Sequence, residues 1–206
     1  MIALVATLVG LAMLLVGERV QRASLRYAGK PLASAGFLIA AASAAPRGAF
    51  ATWLVVGLVL GAIGDVALLS ERAFVVGLGA FLLGHVAYAV AVAQVVPAAQ
   101  WASPLALAPA VAVLGALAWL WPHLGSMRVP VIAYVIVIAV MVIAAIAFAR
   151  AGAPHGQRFL AGAVLFFASD LAVARDKFVA PGFANRAWGL PTYYAGQLLI
   201  AWSIAA

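Results

Sequence analysis

The chain has 206 residues, 68% of them hydrophobic and 8% charged, with a mean hydropathy of +1.18. A soluble domain carries about 25% charged residues, so composition excludes a water-soluble fold and makes lipid the solvent of a multi-pass integral membrane protein. The formal net charge of +7 sits in clusters between apolar runs, which fits membrane topology better than a nucleic-acid surface, and the absence of cysteine excludes disulfides and thiolate metal sites.

The first apolar run, 2–16, has no basic stretch ahead of it and is followed by Glu18-Arg19 and not by a small-residue cleavage site. It is expected to stay in the membrane as a helix. Lys30-Pro31 opens the second expected span, 31–45. Proline suits a first helical turn, and the lysine beside it either snorkels to the interface or meets a lipid phosphate. The third span, 51–70, carries Gly57 and Gly61 at a small-xxx-small spacing that reads as close helix packing. Near its end stands Gly64-Asp65-Val66-Ala67-Leu68-Leu69.

An aspartate in an apolar helix costs about 2.5–3.5 kcal/mol at the helix centre. The chain makes this choice twice. The fourth span, 74–96, places His85 about 18 Å along its helix at about 1.5 Å per residue; this histidine either bonds across helices or serves the site. The fifth span is 103–121, and the sixth, 129–149, carries Tyr134. The seventh, 157–174, holds the second copy, Ser169-Asp170-Leu171-Ala172-Val173-Ala174. The eighth, 187–205, has Tyr193 and Tyr194 in its first turns, with Gln197 on the face of Tyr193 at i, i+4. Tyr194 reads as an interfacial anchor. Each aspartate either points into the bundle or pairs at the interface with Arg72, Arg175 or Lys177.

With connections this short, the expected architecture is a single domain over 1–206, an all-α polytopic bundle of eight helices. The loops after the odd-numbered spans hold Arg19, Arg22, Arg26, Lys30, Arg72, Arg128, Arg175, Lys177 and Arg186, nine basic residues against Arg47, Arg150 and Arg158 in the others. That bias places both termini outside. If the cell is bacterial, the membrane is the inner one. Asp65, Asp170, Lys30 and Tyr193 then share one depth near the cytoplasmic face, where one pocket can hold them. His123 and His155 fall on opposite sides and no His-x-x-x-His pair exists, so no metal site is expected. No cofactor is expected either.

The ordered motifs are Lys30-Pro31, then Gly64-Asp65-Val66-Ala67-Leu68-Leu69, then Phe74-x-x-Gly77-x-x-x-Phe81-x-x-Gly84-His85-x-x-Tyr88. Tyr134 and Met141 follow, then Gly162-x-x-x-Phe166-x-x-Ser169-Asp170, Lys177-Phe178 and Thr192-Tyr193-Tyr194-x-x-Gln197-Leu198-Leu199-Ile200. In order and spacing this set resembles the lysoplasmalogenase, or YhhN-like, family of integral membrane proteins. The resemblance implies a hydrolase that cleaves the vinyl ether bond of a lysoplasmalogen to a fatty aldehyde and glycerophosphoethanolamine or glycerophosphocholine. It puts the family's paired aspartates at Asp65 and Asp170.

Such a reaction needs a proton delivered to carbon, a stabilised oxocarbenium and an activated water. One neutral and one ionised carboxyl can supply them, by the logic of glycoside hydrolysis. Lys30, His85, Tyr134, Tyr193 and Gln197 are expected to contact substrate, Lys30 at the phosphate, with Tyr193 and Gln197 at the glycerol oxygens or the water. The expected partners are the lysophospholipid substrate and the surrounding membrane lipids, and no nucleic acid. A non-enzymatic alternative uses the two aspartates as a proton relay in a transporter or lipid-handling protein.

Overall fold

In a hydrocarbon solvent every backbone N–H and C=O must find its partner within the segment, so apolar runs of this length become helices. The computed structural model describes residues 1–45 and 47–204 and contains eight α-helices. They are α1 (Ile2–Arg19), α2 (Ala23–Ser43), α3 (Gly48–Ala67), α4 (Phe74–Ala93), α5 (Leu107–Leu120), α6 (Arg128–Arg150), α7 (Gly156–Ala174) and α8 (Phe183–Trp202). A wide helical turn, Arg175–Val179, continues α7. Residue 205, where the last expected span ends, lies outside the described residues.

Six segments are long and apolar enough to cross a bilayer: Ile2–Arg19, Gly48–Ala67, Glu71–Ala93, Pro104–His123, Gly125–Arg150 and Gly156–Val179. The protein is therefore an integral, multi-pass membrane protein built as a helical bundle. The remaining helices, α2 and α8, have 21 and 20 residues, about 30 Å of helix. They miss the hydropathy because they carry Arg26, Lys30 and Ser34, and Asn185, Arg186, Tyr193, Tyr194 and Gln197. They can do so because most of these polar residues face the bundle: Lys30, Ser34, Asn185, Tyr193, Tyr194 and Gln197 are buried. α8 packs against α1, α2, α3 and α7, and α2 against α1, α3 and α8.

The second and eighth helices begin earlier than their sequence suggests. α1 ends in a Schellman turn: Gln21 takes a left-handed conformation (φ 54°) and the Arg22 N–H donates to the Gly17 carbonyl at 2.9 Å. The chain reverses within three residues, and α2 starts at Ala23 and not at Pro31. Pro31 is thus the ninth residue of its helix, Lys30 the eighth, and Arg26 and Lys30 are helix residues and not loop residues. In the same way α8 starts at Phe183, which puts Tyr193 at its eleventh position and not in its first turns. Tyr194 is buried and donates to the Lys30 carbonyl at 3.4 Å, so it is a core residue and not an interfacial anchor.

Close approach fixes α7 against α8. A Cβ at Gly162 would stand 2.8 Å from the Gly196 carbonyl oxygen, and one at Gly196 would stand 2.9 Å from that of Gly162. By contrast α5 packs chiefly on α6 and touches the wide turn after α7. Its apolar cluster, Val113, Leu120, Leu124, Val131, Val135 and Ala139, is separate from the main core.

Candidate active site

The C-terminal ends of α3 and α7 and the N-terminal halves of α2, α4, α6 and α8 meet at one end of the bundle. Asp65, two residues before the end of α3, is 2% exposed and fully partnered. Ser34 donates its hydroxyl to Oδ2 at 2.6 Å and Tyr193 donates to the same oxygen at 2.9 Å. The Lys30 ammonium stands 3.6 Å from Oδ1. Three donors and no acceptor converge on this side chain, an arrangement that fits a carboxylate. Ser34 lies one turn beyond Lys30 on α2, so the two meet Asp65 from one helix face.

Asp170 has a different shell. Tyr134 donates to its Oδ2 at 3.1 Å, and Nε2 of His85 faces the same oxygen at 3.5 Å. His85 is completely buried, and its Nδ1 lies 2.6 Å from the Phe81 carbonyl oxygen. A carbonyl only accepts, so Nδ1 carries a proton and donates it. Nε2 makes no hydrogen bond. In a neutral imidazole this atom is an acceptor aimed at Asp170. One proton, carried on either atom, can bridge Nε2 and Oδ2. The ring is held by Tyr134 (centroids 5.4 Å apart) and Phe166 (4.4 Å).

Behind Asp65 runs a chain of hydrogen bonds. Tyr88 donates to Gln197 Oε1 at 2.7 Å, Gln197 Nε2 donates to the Tyr193 oxygen at 3.1 Å, and Tyr193 donates to Asp65. The glycines of α3 make room for it. A Cβ at Gly61 would collide with Gln197 Nε2, and one at Gly57 with the Tyr88 ring. The Gly57–Gly61 pair thus accommodates two polar side chains from α4 and α8, beyond the helix packing that its spacing suggests. Gly61→Ala should destabilise the protein by about 1–3 kcal/mol through overpacking. Gly79→Ala should leave thermal unfolding in detergent unchanged, because a Cβ at Gly79 meets nothing within 4 Å. Equal midpoints for the two variants would contradict the tight fit at Gly61.

Asp65 and Asp170 line one cavity of about 520 Å³, within the range of small-molecule sites. Lys30, Tyr134 and Tyr193 also line it. His85 and Gln197, expected against substrate, instead stand behind its wall, each fully buried. Lys30, expected at a phosphate, is 5% exposed and spends its charge on Asp65. Neither aspartate takes Arg72, Arg175 or Lys177 as its partner.

All five acidic residues of the chain, Glu18, Asp65, Glu71, Asp170 and Asp176, line this cavity. So do Arg26 and Arg186, which enter the sequence reading only through topology, and Lys177, which enters it also as a candidate interfacial partner of the aspartates. Asp176 accepts from Arg186 at 2.7 Å, from Asn185 at 3.1 Å and from the Gly182 N–H at 3.0 Å, which ties the wide turn to the start of α8. Lys177 lies over the Phe74 ring at 4.6 Å. Ser34 and Tyr88 are the buried members the sequence did not single out. Among the described residues no group of three or more histidines and acids is placed to hold a metal ion.

A family model described as the YhhN family matches residues 25–204. The chain is 37% identical over 183 residues to a protein of Mycobacterium bovis named lysoplasmalogenase, covering 82% of the chain and 66% of that relative. It is 38% identical over 180 residues to human lysoplasmalogenase TMEM86A, covering 82% of the chain and 68% of the relative. It is 31% identical over 185 residues to the uncharacterized membrane protein YhhN of Escherichia coli O6:H1, covering 87% and 86%. The chain thus spans about two thirds of the length of the relatives named lysoplasmalogenase. No solved structure matches it.

Proposed function

The chain belongs to the YhhN family, and we propose that it is a membrane-embedded hydrolase that cleaves the vinyl ether bond of a lysoplasmalogen. The observation that carries the reading is the pair of aspartates on one cavity wall with opposite partners: donors around Asp65, an unfilled acceptor beside Asp170. Two of the relatives bear the name of this activity.

The reaction adds one water and breaks one carbon–oxygen bond. Asp170, in its acid form, gives its proton to the alkenyl carbon remote from the ether oxygen, and the adjacent carbon becomes an oxocarbenium. Asp65, held ionised by Lys30, Ser34 and Tyr193, faces this cation and takes a proton from the water that attacks it. The hemiacetal then collapses. Its hydroxyl proton goes to the departing glycerol oxygen, and the fatty aldehyde and glycerophospho-base leave. The proton on Asp65 replaces the one that Asp170 gave up, so water alone is consumed. Positioned acid–base groups of this kind contribute about 10²–10⁴-fold.

His85 acts through Asp170: its Nε2 holds the acidic proton in place between turnovers. Tyr88 and Gln197 act through Tyr193, fixing the direction of its hydroxyl. The head group meets Lys177 at the mouth, since Lys30 is buried against Asp65 and Arg186 is taken by Asp176. The decisive assay is aldehyde release from a purified lysoplasmalogen by the protein in detergent, trapped as a hydrazone. Release should be catalytic and should leave a diacyl phospholipid untouched. No release above the rate of an Asp170→Asn preparation would overturn the proposal.

A further inference from the structure

The cavity has three kinds of wall. Its mouth is charged. Its inner end is closed by aromatic rings, with Phe81, Phe166 and Tyr193 packed edge to face at centroid distances of 5.2–6.0 Å. Behind those rings lie the fully buried Tyr88 and Gln197. The third wall is apolar and lateral: Ala116 and Leu120 from α5, Val131 and Val135 from α6, Phe167 from α7 and Phe178 from the wide turn.

That lateral wall coincides with a seam in the packing. α6 presents Tyr134, Ile138, Met141 and Val142 to the main core and Val131, Val135 and Ala139 to the separate cluster with α5. Phe167 is the one partly buried residue, among those described, that packs against both clusters. On its far side α5 exposes Leu107, Val111 and Leu114. Between this lipid-facing side of α5 and the aspartates stand the apolar side chains of the lateral wall.

We infer that the seam between α5–α6 and α7 is the binding groove for the single hydrocarbon chain of the lysolipid, and that Ala116 and Phe167 set the chain length it takes. The identity of the occupant rests on the hydrolase reading above; the groove rests on the packing. The vinyl ether is the junction between an apolar chain and a charged head. With the head at the charged mouth and the ether oxygen at Asp65 and Asp170, the inner end is blocked by rings, and the lateral seam is the apolar exit left for the chain. Entry along it keeps the chain in hydrocarbon throughout, so no desolvation step precedes binding.

The test compares Ala116→Trp, which fills the seam from α5, with Leu114→Trp, which puts the same ring on the lipid face of that helix. Ala116→Trp should lower kcat/KM for a long-chain alkenyl lysolipid by about tenfold or more while sparing a short-chain one, since each methylene in an apolar pocket is worth roughly 10–200-fold in discrimination. Leu114→Trp should change neither. Phe167→Ala, which widens the seam, should shift preference toward bulkier chains. A fluorescent single-chain lysolipid lacking the vinyl ether should bind the Ala116→Trp protein more weakly by a similar factor. Equal loss for both chain lengths, or unaltered binding of the fluorescent lipid, would overturn the groove. An unmodified protein that binds the fluorescent lipid but releases no aldehyde from either substrate would instead overturn the hydrolase reading and leave the groove standing.

Discussion

Asp170→Asn should lower turnover on a lysoplasmalogen by at least about 10²-fold without loss of folded protein. The substitution is nearly silent structurally. The asparagine keeps one of the two contacts made at Oδ2, accepting from Tyr134 through its oxygen or donating to Nε2 of His85 through its amide. What it lacks is a proton acidic enough to reach carbon. Turnover and stability should therefore separate: kcat falls, and the unfolding midpoint in detergent changes little. His85→Gln should lower kcat by a smaller factor with KM unchanged, because His85 does not line the cavity and touches the reaction only through Asp170. Near-normal kcat in Asp170→Asn would remove this aspartate from the chemistry.

Lys30→Met should behave in the opposite way, as a large loss of stability. Lys30 and Asp65 are both buried, and removing one partner of a buried ion pair costs about 3–5 kcal/mol because the other charge is left uncompensated. Ser34 and Tyr193 still donate to Asp65, which sets the cost toward the lower part of that range. Adding Asp65→Asn to Lys30→Met should recover most of the lost stability, since the charge is gone, and none of the activity. Thermal unfolding of the two single variants and the double variant, read as a double-mutant cycle, measures the coupling. Additive losses would mean that the two side chains do not act as a pair.

The eight helices were legible because lipid allows little else, and the two aspartates because an acid in an apolar helix is costly. The failures cluster on α2 and α8. Both start earlier than the sequence suggests, and for one reason: the polar residues that face the cavity give the first half of each helix the composition of a loop. Pro31 reinforced the error, since a proline after a charged residue resembles a helix start, whereas here it is interior. Once α2 is extended back to Ala23, Lys30 leaves the interface and joins Asp65. The pairing of His85 with Asp170 spans 85 positions, and nothing local to either residue announces it. Ser34 was within reach, standing one turn beyond Lys30 on the same helix. Gln197 was placed on the correct face with Tyr193, but its burial behind that residue depends on the absence of a side chain at Gly61, which only the three-dimensional arrangement reveals.

The polarity of α2 and α8 also bears on how the chain enters the bilayer. A lysine or aspartate near a helix centre opposes insertion by about 2.5–3.5 kcal/mol, and neither of these two helices offers the apolar length that the other six do. Each follows a strongly apolar helix across a short connection and packs most extensively against it, α2 on α1 and α8 on α7. Insertion of each pair as a hairpin, with the apolar arm carrying the polar one, would lower this cost, and in the folded bundle the two polar arms α2 and α8 pack on each other. The surroundings of Asp65 are completed only when α8 docks, because Tyr193, one of the donors to its carboxylate, comes from that helix.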